Sequence, residues 1–149
     1  MSARAASAWL RRLPALVWTL FIWSRSLFDG IESSAQSALV VGVLAPAFGA
    51  AGISDVDVMT LLVRKAAHFL EYLVLGFLLS LSREGGRGRV PWQQLFVGLA
   101  VPVADESIQA LVPGRSSLVT DVLIDFAGVS AGLALGAALG RIATRPRRR

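Results

Sequence analysis

The sequence predicts an all-α, polytopic membrane bundle: four transmembrane helices plus an interfacial or re-entrant segment on the outer side. Three observations carry that expectation. Apolar residues make up 54% of the 149 and charged residues only 17%, with a mean hydropathy of +0.61. A soluble domain of this size cannot hide that much apolar surface. Four apolar stretches of near-bilayer length fall at roughly 13–28, 61–82, 90–111 and 118–140. The charges then divide by side. With both termini on one face, that face holds eleven basic residues, Arg4, Arg11, Arg12, Arg83, Arg87, Arg89, Arg141, Arg145 and Arg147–Arg149, against one acid, Glu84. Short loops rich in Lys and Arg stay in the cytoplasm. Both termini are therefore expected in the cytoplasm of a bacterial inner membrane protein, with residues 30–58 and 112–117 outside. The chain is short enough for one domain, with a core over about 16–140 and a basic tail at 141–149.

The first span follows Arg11-Arg12. Its flank, Ser24-Arg25-Ser26-Leu27-Phe28, has no small-x-small pattern, so an uncleaved span is expected rather than a signal peptide. Residues 38–53 are apolar but contain Pro46 and several glycines. A fifth span here would put basic clusters on both sides, so the charge rule favours an interfacial or re-entrant segment. Gly85-Gly86-Arg87-Gly88-Arg89 reads as a tight inner loop. It lacks the GK[ST] ending of a phosphate loop. Pro113-Gly114 makes the outer turn before the last span. In that span Gly128, Gly132, Gly136 and Gly140 recur every four residues, a stripe that lets another helix approach closely. Leu133, off the stripe, is expected to tolerate Val. Trp9, Trp23 and Trp92 lie near span ends, as interface anchors do.

The pI of about 11.2 suggests nucleic acid. The basic residues flank spans, however, and a cytoplasmic anchor against anionic lipid explains them better; no nucleic-acid partner is expected. The absence of Cys excludes thiolate chemistry and disulfides.

Ionisable residues recur inside the spans at a shared depth. Arg64, His68, Glu71 and Leu75 share one helical face, with Lys65 and Tyr72 alongside. Asp105 and Gln109 share a face near the end of the third span, with Glu106 adjacent. Asp121 and Asp125 open the fourth span and run into the glycine stripe. At about 1.5 Å per residue, His68, Asp105 and Asp125 all lie roughly 10 Å from the outer ends. A lone charge at such depth costs about 2.5–3.5 kcal/mol or more. The set must pair, titrate or bind something. An ion-pair network of Arg64, Lys65 and Arg115 with the acids is one account, and a ligand pocket is another.

Four motifs then resemble one family: Phe21-Ile-Trp-Ser-Arg-Ser26, Arg64-Lys-Ala-Ala-His68-Phe-Leu-Glu-Tyr72, Ala104-Asp-Glu-Ser-Ile-Gln109, and Val112-Pro-Gly-Arg115 followed by Asp121, Asp125 and Gly128. In this order and spacing the chain is similar to the VanZ-like family of bacterial membrane proteins over roughly 16–140. Ser107-Ile108 departs from the family, which often carries an aromatic residue or His before the Gln. The resemblance implies a cell-envelope membrane protein. The family's namesake lowers sensitivity to the glycopeptide teicoplanin.

Three functional readings follow. In the first, the polar pocket binds a lipid headgroup or lipid-linked cell-wall intermediate, with Arg64, Lys65 and Arg115 suited to phosphate or carboxylate. In the second, an intramembrane enzyme acts on a lipid-linked phosphate with a divalent metal as candidate cofactor, its ligands drawn from His68, Asp105, Glu106, Asp121 and Asp125. A serine nucleophile beside His68 would come from Ser24, Ser107 or Ser116, and nothing selects one. In the third, the layer only stabilises the bundle. A proton-coupled carrier using His68 and Glu71 fits poorly, because four spans show no repeat.

Overall fold

The computed structural model describes residues 3–27, 30–82, 92–115 and 117–143. The Arg83–Arg89 loop, Ser116 and the tail from Thr144 lie outside the described residues. Among those described there are five α-helices and no strand: α1 (Ala3–Ser26), α2 (Gly30–Ala50), α3 (Val56–Leu81), α4 (Trp92–Gln109) and α5 (Val119–Ala143). The all-helical class agrees with the sequence. By length and composition, one helix among the described residues is long and apolar enough to cross a membrane, Val119–Ile142 in α5. Polar and ionisable residues inside α1, α3 and α4 keep those helices below the same measure.

The segment expected at 38–53 is longer and more regular than a re-entrant loop. It belongs to α2, which runs through Pro46 without a break. Its end has a clear cause. Gly52 adopts a positive φ of 76°, the Ile53 N–H donates to the Phe48 carbonyl (2.9 Å) and the Gly52 N–H to the Gly49 carbonyl (3.0 Å). This is a Schellman cap, where the missing glycine Cβ permits the left-handed turn. Phe48 and Ile53 then pack against Val41, Met59 and Val63, which ties α2 to α3. Asp55 starts α3 by accepting from the N–H groups of Asp57 (2.8 Å) and Val58 (3.3 Å), so the helix begins five residues before the expected span.

α3 is the hub, packed against each of the other four helices. Its tightest partner is α5, and the pair is parallel: Lys65 meets Asp121, His68 meets Asp125, and Gly76 meets Val129. Glycine makes that approach possible. A methyl group at Gly128 would strike the Phe69 carbonyl, at Gly132 the Leu73 carbonyl and the Phe77 nitrogen, and at Gly136 the Ser80 hydroxyl. Gly76 supplies the matching gap on α3, against the Val129 carbonyl. Gly140, fourth in the stripe, has nothing within 4 Å of a Cβ among the described residues. Leu133 is a correction: it is buried in the core beside Val129, because the close approach at Gly132 carries its neighbour inward.

α1 and α4 are also parallel. The Trp23 indole donates to the Val101 carbonyl (3.4 Å) and the Ser26 hydroxyl to Asp105 (2.5 Å). The Trp18 indole reaches across to the Glu71 carbonyl on α3 (2.8 Å). Trp23 is thus an interhelix strut rather than an interface anchor, whereas Trp9 and Trp92 are exposed. The main core joins Ile22, Tyr72, Leu75, Val101, Val129 and Leu133.

Candidate functional site: a polar layer at one end of the bundle

Polar and apolar residues are turned inside out. Leu13, Leu16, Val17 and Leu20 of α1, Phe96 and Val103 of α4, and Leu123, Leu139 and Ile142 of α5 are exposed. Asp105, Glu106, Gln109, Asp121 and Asp125 are buried. The two parallel helix pairs bring the C-terminal ends of α1 and α4 together with the N-terminal halves of α3 and α5. All the candidate residues therefore gather at one end of the bundle.

They form three groups. At the mouth, Arg25, Arg64 and Arg115 line a cavity of about 130 Å3 together with Glu71, Gln36 and Ser37. Arg25 donates to Gln36 (2.6 Å) and lies 3.9 Å from Glu71. Arg115 sits in the turn after α4, where Gly114 takes a positive φ of 75°. Burial, and then the like charges of Arg64 and Arg25, push the Arg115 guanidinium below its ordinary pKa, against the pull of Asp105 and Glu106.

Beneath the mouth lie His68, Asp105 and Asp125. The His68 Nδ1 stands 3.3 Å from Asp125 Oδ1. Asp105 is held from both sides, by the Ser26 hydroxyl (2.5 Å) and the Gln109 amide (3.0 Å). One ligand atom from each of the three lies within 4.8 Å of the others. The Tyr72 hydroxyl is fully buried beside Asp105 and Asp125.

The third group fastens the start of α5. Glu106 Oε2 accepts from the Leu118 N–H (2.9 Å), one residue before the helix begins. Asp121, in the first turn, takes Lys65 as its partner and also faces the positive end of the helix dipole. Of the five acidic or imidazole residues considered for a metal, Glu106 (through Oε2) and Asp121 thus serve the start of α5, and the compact cluster among the described residues is His68, Asp105 and Asp125.

The sequence reading leaves Ser26, Gln36 and Ser37 out of the pocket, and names Arg25 only in the flank of the first span and in the first motif. Arg25 and Ser26 belong to the first motif, and that was the available signal. Nothing local marks Gln36 or Ser37, which arrive through the packing of α2 on α3. Ser24 and Ser107 are exposed, and each hydroxyl donates to a carbonyl of its own helix (2.7 Å). Neither lines the cavity. The third candidate, Ser116, lies outside the described residues.

A bundle of apolar-faced helices with its ionisable groups turned inward at one end is the pattern of a membrane-associated protein. The particular family follows from comparison. The VanZ/LLP1 family model matches residues 13–140, and the chain belongs to that family. No curated protein and no solved structure matches it.

Proposed function

We propose that the protein is a multi-pass component of the cell envelope whose pocket holds the anionic headgroup of a lipid or lipid-linked cell-wall intermediate. The observation that carries this reading is the convergence of Arg25, Arg64 and Arg115 on one cavity, where the like charges of Arg64 and Arg25 act on Arg115. A phosphate or carboxylate between them would relieve that repulsion and accept the forked hydrogen bonds that guanidinium groups donate. Size supports the same ligand class. Drug-sized sites run to about 300–1,000 Å3, whereas about 130 Å3 suits a headgroup and not a whole glycopeptide.

The topology in this reading has α1, α3, α4 and α5 crossing the membrane, the termini cytoplasmic and the pocket in the outer leaflet. The two parallel pairs suit alternating spans, and the apolar window of α5 is only 28% buried, leaving most of it for lipid. Lowered sensitivity to teicoplanin would follow from changing which cell-wall intermediates the antibiotic reaches.

Native mass spectrometry of the protein in a mild detergent tests the pocket. The wild-type chain should carry an anionic phospholipid or lipid-linked phosphate. Arg64→Gln and Arg115→Gln should weaken its binding at least about tenfold, as expected when a charge-assisted contact of about 1.5–3 kcal/mol is lost. Equal lipid retention by the folded variants would defeat the reading.

A further inference from the structure

Asp125 raises a question that the headgroup pocket does not answer. Its side chain is 0% exposed, and neither carboxylate oxygen accepts a well-aligned hydrogen bond among the described residues. The His68 Nδ1 lies 3.3 Å from one of these oxygens. A buried carboxylate costs several kcal/mol unless it is paired and its lone pairs are satisfied. A second carboxylate, Asp105 at 1% exposure, belongs to the same cluster and aggravates the repulsion. The Tyr72 hydroxyl, 0% exposed and beside Asp105, makes no well-aligned hydrogen bond among the described residues either. The His68 Nδ1 and both Asp125 oxygens are thus buried with unused capacity in one compact cluster with Asp105.

We infer that His68, Asp105 and Asp125 bind one divalent transition-metal cation of the Zn2+ or Mn2+ type at the floor of the cavity. Two carboxylates and a neutral imidazole cancel the charge of such an ion. The spacing suits it. Ligand atoms about 2.0–2.2 Å from one metal stand about 3–4.4 Å apart. The His68–Asp125 separation of 3.3 Å lies inside that range, and the widest separation in the cluster, at most 4.8 Å, closes with a small side-chain shift. The donor chemistry points the same way, since imidazole favours Zn2+ over Mg2+ or Ca2+ and carboxylates admit Mn2+. The outer support is also in place. Ser26 and Gln109 brace Asp105, as hydrogen bonds commonly orient a ligating carboxylate. His68 and Asp105 both line the cavity, so three protein ligands leave the ion open on that side. This site stands on its own geometry and does not depend on which anion the mouth holds.

The chain has a single histidine, which makes the test residue-specific. Full-length protein, purified without a polyhistidine tag and stripped with chelator, is titrated with Zn2+ and with Mn2+. One equivalent per chain should bind, Zn2+ should raise the melting temperature, and pulsed EPR of the Mn2+ form should detect coupling to a histidine nitrogen. His68→Gln and Asp105→Asn should weaken binding by about 100-fold or more. Ser26→Ala removes a brace but no ligand, and should weaken it about tenfold. Asp57→Asn, at the exposed start of α3, should leave it unchanged. The proposal is overturned by no stoichiometric uptake, by uptake without nitrogen coupling, or by equal affinity in His68→Gln. The EPR result needs only the wild-type chain, so it decides even where a ligand variant does not fold. Metal uptake without bound lipid would keep this site and remove the headgroup reading; lipid without metal would do the reverse.

Discussion

Lys65 and Asp121 show how a charge pair inside a bundle acts as a fastener. Lys65 leaves α3 and Asp121 opens α5, and the pair sets the register of the two parallel helices at the polar end. Their side chains are 25% and 11% exposed, so neither charge is well solvated alone. Breaking a fully buried pair costs about 3–5 kcal/mol, and the partial exposure here should bring the cost of Lys65→Met or Asp121→Asn to about 2 kcal/mol. The double variant should lose clearly less than the sum, with a coupling of about 1 kcal/mol or more. Melting temperatures in detergent for the full cycle check this. Strict additivity would mean that the pair contributes nothing. Arg25 and Glu71 contrast with them. They stand 3.9 Å apart with over a quarter of each side chain exposed, and contacts of that kind contribute about 0–1 kcal/mol. Their place at the cavity mouth, and not their strength, is what matters.

At the scale of the helix, close backbone approach governs α3 and α5. The contact does not rest on side-chain volume at Gly132, because any Cβ there meets the Leu73 carbonyl and the Phe77 nitrogen. Neither helix backbone can yield locally without shifting the whole pair. Gly132→Ala should therefore destabilise by about 2 kcal/mol or more, in the range of overpacked core sites. Gly140→Ala meets nothing among the described residues and should be neutral or stabilising by up to about 1 kcal/mol through helix propensity. Comparable losses of melting temperature in both variants would remove the packing argument. Leu133→Val is no longer a neutral control, since it removes a buried methylene and should cost about 1 kcal/mol.

For the molecule as a whole, the exposed apolar faces and the inward polar layer set the expected orientation in the membrane. The absence of cysteine makes single-cysteine labelling clean. A cysteine at Ala51, exposed after the α2 cap, should react with an impermeant thiol reagent in intact cells. A cysteine at Gly86, in the basic loop, should react only after permeabilisation. Labelling of residue 86 in intact cells would sink the proposed four-span topology, and it would also move the pocket to the wrong leaflet.

The amino-acid sequence by itself determined the helical class and the family. Both are written in local terms: apolar stretches of helical length, and motifs read in order along the chain. Periodicity also brought Asp121 and Asp125 onto the face that carries Gly128 and Gly132. It could not say which acids serve the fold. Glu106 and Asp121 are as acidic as Asp105 and Asp125, and only their partners differ: the Leu118 N–H and Lys65 for the first two, Ser26, Gln109 and His68 for the others. Those partners come from other helices or from the turn before α5, except Gln109, one turn along α4, so composition and spacing carry little trace of them. The same holds for Gly76, a single glycine without a stripe, and for Gln36, brought to the cavity by a helix that the sequence read as a broken segment. Tertiary structure decided these roles because a buried charge is defined by what it faces. That depends on the packing of α1, α2, α4 and α5 around α3.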